Sequence, residues 1–584
     1  MILAAALSGL LNGGSVSAGY LEKNGQASVN TVLWGEIISG DVNETGMTLV
    51  VDGVEFSSRD EMYMSGEMEL MLSLDIVKEA FSCAAAVYDA SLLVIERGSD
   101  RVSIDTAALT FDVNGDESEL EWAVDCADGD FFVPLALFED LFGYSKSWDG
   151  TGYVMTVISS DASAELLPSR YDYSDVLRVS SVKDQQSYGT CWAFAAIAAL
   201  ESTLLPEESF DFSEDHMVLA NSYDIDLYSG GDYTISIAYL AAWQGPVLES
   251  DDAYADGITN SQASVVKHVQ EARIIESKDY ETIKEMIFKY GGVQSSLYTS
   301  LTNSRSTSYY YNEEEAAYCY IGTESANHDI VIIGWDDDFP AENFTIDVEG
   351  DGAFICKNSW GTDFGDGGIF YVSYYDSNIG LYNVVYTRVD DADNFDNIYQ
   401  SDLCGWTGSM GFESDDADSD AADSGDSGSG NADSDDAGSD DASTVYFANV
   451  YTAEGDESIE AAAFYSPAAG SEYEIYVCTD FTGTQSLSDR ETAVASGTFS
   501  TSGYYTVDFD ESVDVAAAGN FAVIVKLSAE DCEKPIAVEY YDESLFPDVD
   551  LSDGEGYFSL HGSSWRSAEE NGCNICLKVF TNDR

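Results

Sequence analysis

The hydrophobic and polar positions fall into three stretches of different rhythm. Between about residues 45 and 158 the pattern repeats weakly. Leu72-Ser73-Leu74 through Phe81, Tyr88-Asp89 and Leu93-Val94-Ile95 align with Val133-Pro134-Leu135 through Phe142, Trp148-Asp149 and Tyr153-Val154-Met155, at an offset of 60 to 61 residues. Each copy predicts a helix, a turn at an aromatic–Asp pair, then a strand. The middle stretch holds an Ala/Phe-rich run from Ala193, which predicts a helix beginning near residue 191. It also holds Ile330-Val331-Ile332-Ile333, a β-branched run that predicts a buried strand headed by His328. From about Asn394 to Arg584, aromatic and β-branched runs such as Tyr446–Thr452, Tyr473–Cys478, Tyr504–Phe509, Phe521–Leu527 and Ile536–Tyr541 alternate with Gly/Asp/Ser turns. That is the pattern of an all-β sandwich.

Composition changes this picture in two places. The chain has 584 residues, too many for one core, and 45% of them are hydrophobic. Asp and Glu number 108 against 23 Lys and Arg, for a net charge of −85. Nucleic acid and anionic membrane are therefore excluded as expected partners, because both require a basic patch. Glu413 to Ser443 concentrates the bias, with twelve acids and no Lys or Arg, and is expected to be a disordered insertion within the β domain. Met1 to Leu11 is apolar and Val16-Ser17-Ala18 resembles a signal-peptidase site, so export to the cell surface or medium is expected. Ten scattered cysteines are too sparse for a disulfide framework. Cys573-Asn574-Ile575-Cys576 lacks the second pair that a zinc site needs, and within one strand its cysteines would face core and edge in turn. No metal or organic cofactor is expected.

The candidate chemistry lies in Gln185-Gln186-Ser187-Tyr188-Gly189-Thr190-Cys191-Trp192. This octapeptide puts Cys191 where a loop becomes a helix, and a helix N-terminus lowers a thiol pKa toward neutrality. Gln185 is an uncharged donor able to serve an oxyanion hole. A thiol nucleophile also needs a base and a group that orients the base. Only four histidines are available, and His216, His268 and His561 read as structural or solvent-facing. His328 remains. Asn358, after the short apolar stretch Ala353-Phe354-Ile355, can accept from one of its ring nitrogens and leave the other facing Cys191.

Together these segments resemble the papain family of cysteine peptidases, from about Leu167 to about Asp390. His328 and Asn358 follow Cys191 by 137 and 167 residues. Ser229-Gly230-Gly231-Asp232 is similar to the paired glycines lining the family's substrate cleft, which implies that Gly230 and Gly231 bind an extended peptide. Trp360 matches the tryptophan that shields the histidine–asparagine bond. The resemblance also implies a thiolate–imidazolium pair at rest. Tyr188 stands where secreted relatives usually carry a disulfide cysteine, so the cleft must be held by packing alone. Thr190 and Asn327 replace a small residue and an aspartate.

The flanks resemble other modules. The N-terminal repeat resembles the domain named for the N-terminal region of copper amine oxidases, although residues 1–190 hold no histidine for a copper site. The C-terminal stretch resembles a lectin-like domain, which implies contact with a cell-surface glycan or the cell wall. The expected organisation is a signal-like segment at 1–18, an accessory α+β repeat domain at 19–163, an α+β papain-like peptidase with helical and β lobes at 164–390, and a lectin-like all-β sandwich at 391–584. The expected activity is endopeptidase cleavage of a protein or peptide by Cys191, His328, Asn358 and Gln185. The alternatives are an adhesion protein on an unused peptidase fold, and a transpeptidase or amidase on the same machinery.

Overall fold

The computed structural model describes residues 48–412 and 444–584, with short breaks at 57–61, 66–68, 121, 128–129, 149–153, 160–165, 491, 531 and 553, and two dipeptide strands, Tyr20–Leu21 and Ala27–Ser28. The signal-like segment 1–18 and the acidic tract 413–443 lie outside the described residues. The chain divides into two compact units. The first is Met1–Tyr171 with Leu205–Glu208 and Lys284–Tyr290, and the second is the remainder.

In the first unit two eight-residue helices follow short strands. Helix α1, Leu74–Phe81, starts where the Ser73 hydroxyl accepts the Ile76 N–H at 3.2 Å. Helix α2, Leu135–Phe142, follows Pro134 and ends at Gly143, whose φ of +70° and N–H bond to the Phe138 carbonyl close its last turn. The strands leading into them, Leu70–Ser73 and Asp130–Pro134, pair antiparallel. Phe81 and Phe138 stack with ring centroids 4.0 Å apart, so both helices share one core.

The second unit is built around helix α3, Cys191–Leu204. Its residues are apolar on almost every side and nearly all buried, as in a helix enclosed by the core. Helix α4, Glu214–Leu219, is capped by Ser213, and helix α5, Tyr233–Ala241, by Asp232. Against α3 lies a sheet in which Val293–Leu297, His328–Asp336, Ala353–Lys357 and Ile369–Ser373 follow one another, each antiparallel to the next. Its register fixes the later geometry. Val331 faces Lys357, so the chain leaving that strand brings residues 358–360 back toward His328.

The same sheet crosses the boundary that the sequence pattern puts at 390. Lys267–Ile275 pairs with Asn383–Asp391 on one side and with Ser502–Val515 on the other. The ladder then continues through Glu457–Ser466 to Leu577–Asp583. Gly503 makes the junction possible, because a Cβ there would lie 2.3 Å from the Ala272 carbonyl oxygen. A six-stranded sheet including Ser471–Cys478, Asn520–Ser528 and Thr444–Thr452 accompanies this ladder in the C-terminal region, over a core that includes Phe447, Phe464, Phe521 and Val523. Cys576 does not lie at an edge. The strand Cys573–Ile575 stops before it, and both cysteines are buried. Among the described residues no helix is long and apolar enough to cross a membrane.

Candidate active site

Cys191 is the first residue of α3, and the Thr190 carbonyl accepts the N–H groups of Ala193 and Phe194. The N–H groups of Cys191 and Trp192 face the thiol, as does that of Asp329, the residue after His328. Each favours a thiolate. Burial outweighs them, and with the negative charge of Asp329 it pushes the thiol up to about 12. Burial also brings His328 down to about 4, against its bond to Asn358. Desolvation opposes charge on the thiol and on the imidazole alike, and Asp329 adds a like charge near sulfur.

His328 Nε2 lies 2.9 Å from Asn358 Oδ1. The Ser359 backbone N–H donates to that same oxygen at 2.7 Å, which identifies it as the amide oxygen. Nε2–H must then be the donor, and Nδ1 keeps its lone pair as a base. Trp360 stacks on the imidazole, with ring centroids 4.6 Å apart and planes at 26°. Both rings and Asn358 are buried, so water has little access to this bond.

Gln185 is held on three sides. Its backbone N–H donates to the Ser359 carbonyl at 2.8 Å, and its Oε1 accepts the Ser359 hydroxyl at 2.6 Å. Its Nε2 donates one hydrogen to the Tyr188 carbonyl at 2.9 Å, and the second amide hydrogen stays available. On the other side, Gly189 N–H donates to the Leu227 carbonyl at 2.7 Å, tying the nucleophile loop to the segment before Gly230 and Gly231. A Cβ on Gly231 would lie 2.7 Å from the Trp192 ring, so only glycine fits. All seven predicted site residues thus lie on interlocking segments. His216 and His268 hold partners of their own, Tyr239 at 2.6 Å and Asn394 at 2.7 Å.

Three neighbours escaped the sequence reading. Asp329 is buried, accepts Ser296 Oγ–H at 2.7 Å and Gln294 Nε2–H at 3.1 Å, and is raised to about 6 by burial. Its position beside His328 was the available signal. Ser359 and Tyr254 give no sequence signal, being ordinary residues in ordinary loops. Among the described residues no group of three or more His, Cys, Asp or Glu side chains is arranged to hold a metal ion.

Residues 167–389 match the papain family cysteine protease, and residues 433–581 match the lectin-like domain. The chain thus carries a papain-family cysteine protease domain followed by a lectin-like domain. Among solved structures it is similar to the clostridial cysteine protease Cwp84 after propeptide cleavage, with a TM-score of 0.59 and 26% identity, covering 71% of this chain and 99% of that one. A second structure holds the cysteine protease and lectin-like domains of Cwp84, a surface layer associated protein of Clostridium difficile. It gives a TM-score of 0.57 and 25% identity, covering 71% of this chain and 89% of that one. The viral cathepsin of Heliothis zea nuclear polyhedrosis virus is 26% identical over 224 residues, which are 37% of this chain and 55% of the cathepsin. That of Epiphyas postvittana nucleopolyhedrovirus is 26% identical over 223 residues, 62% of its length. The match therefore spans less than two thirds of either cathepsin.

Proposed function

We propose that the protein is a secreted or cell-surface cysteine endopeptidase. The observation that carries this reading is the His328–Asn358 bond, roofed by Trp360, with the N–H of the next residue, Asp329, facing the thiol of Cys191 at the start of α3. His328 Nδ1 takes the thiol proton as Cys191 sulfur attacks the scissile carbonyl carbon. The oxyanion is received by the free Gln185 Nε2–H and the Cys191 backbone N–H. The imidazolium, its Nε2–H held by Asn358, gives its proton to the departing amine. Water then enters, His328 removes its proton, and hydrolysis of the thioester restores the thiol. Gly230 and Gly231 offer backbone to an extended substrate. The lectin-like domain supports contact with a surface glycan or cell wall, which would hold the cleft near proteins of that layer.

Cys191→Ala tests the reading. The variant should keep the wild-type melting temperature and lose hydrolysis of a peptide library read by mass spectrometry. Turnover by the purified variant above a mock preparation would remove Cys191 from the mechanism. Ligated products in place of hydrolysed ones would make the protein a transpeptidase.

A further inference from the structure

We propose that Tyr254 is a positioning residue for this reaction, its hydroxyl joining the two ends of the 185–190 loop and so fixing the oxyanion donor and the nucleophile relative to one another without a disulfide. The Tyr254 O–H donates to the Gln185 carbonyl at 3.0 Å, and its oxygen lies 2.6 Å from Thr190 Oγ1. Since the tyrosine hydrogen is committed to Gln185, the Thr190 hydroxyl is the donor to Tyr254. A threonine at a helix start would ordinarily turn its oxygen to a first-turn N–H. Here Tyr254 engages it, and the N–H groups of Cys191 and Trp192 face the thiol.

The phenol is itself held. Its ring meets Phe194 edge-on at 4.8 Å and Tyr188 edge-on at 6.1 Å. Its backbone N–H donates to Glu249 at 2.9 Å, and the Ala255 N–H donates to the buried Asp215 of α4 at 2.8 Å. Tyr188, at the position of the missing disulfide cysteine, packs on Tyr228 with ring centroids 5.2 Å apart. Aromatic packing and one shared hydroxyl therefore do the work of the staple, and strong reductants should leave the cleft intact.

The inference rests on the peptidase reading. Tyr254→Phe keeps the ring and removes the bridge, and Thr190→Val keeps the shape and removes the donor. Each should lower kcat by about tenfold to a hundredfold, the scale of an ångström of misplacement, with KM within about twofold. The double variant should be no slower than the worse single one. Thr190→Ser, which keeps the hydroxyl, should retain the wild-type rate. If Tyr254→Phe does not fold, the Thr190→Val and Thr190→Ser pair decides the matter. An active wild type with unaffected variants, a change confined to KM, or fully multiplicative losses would overturn the inference alone. A wild type that cleaves no peptide would overturn the peptidase reading and this inference with it.

Discussion

Asp329→Asn gives the sharpest test of the site's electrostatics, because it changes one charge and almost no volume. The carboxyl is buried beside Cys191, with Asp232 adding to the rise in its pKa from 3.8 to about 6. A rise of that size corresponds to roughly 3 kcal/mol of disfavour for the ionised form in the fold. Folding raises this carboxyl's pKa, so its contribution to stability is present below pH about 4 and is lost as pH rises through about 6. Asparagine has no such dependence. It keeps one of the two acceptor bonds from Ser296 and Gln294, and losing the other costs about 1 kcal/mol. The variant should therefore be equal to or slightly less stable than wild type near pH 4, and about 2 kcal/mol more stable at pH 8. Removing the charge also removes one cause of the high Cys191 pKa, so alkylation of Cys191 at pH 8, followed by peptide mass spectrometry, should be faster. Urea unfolding of the full chain at pH 4, 6 and 8 supplies the other arm. A stability difference that does not change with pH, together with unchanged alkylation, would show that Asp329 does not bear on the thiol.

Gln185→Ala removes the amide that Ser359 and Tyr188 orient; it should lower kcat about a hundredfold, near 3 kcal/mol, with little change in KM, measured on a fluorogenic peptide. A loss seen only in KM would make Gln185 a binding residue. Lys578→Met strands Asp402, its ion-pair partner at 2.8 Å, with the two side chains 1% and 0% exposed. The loss should be about 3–5 kcal/mol at neutral pH by denaturant titration, and Asp402→Asn in the same chain should recover part of it.

Much of the candidate site was legible in the sequence, because the chemistry restricts residue type more tightly than the fold does. A cysteine at a loop-to-helix junction, a histidine heading a β-branched run and an asparagine after a short apolar strand can be read one segment at a time. The helices of the N-terminal unit were legible for a similar reason, since the repeated runs ending at Phe81 and Phe142 mark them locally, while their caps, Ser73 and Gly143, came from the structure. What the tertiary structure alone decided involves partners distant in the chain. Tyr254 reaches Thr190 across 64 residues, and Ser359 reaches Gln185 across 174. Glu271 pairs with Tyr505, so one sheet carries the protease and lectin-like segments together, where their turn-bounded runs read as separate domains. The electrostatics of the site follow the same rule. A helix N-terminus is visible in sequence and argues for a thiolate, whereas desolvation depends on every atom that packs around Cys191 and His328, and here it is the larger effect.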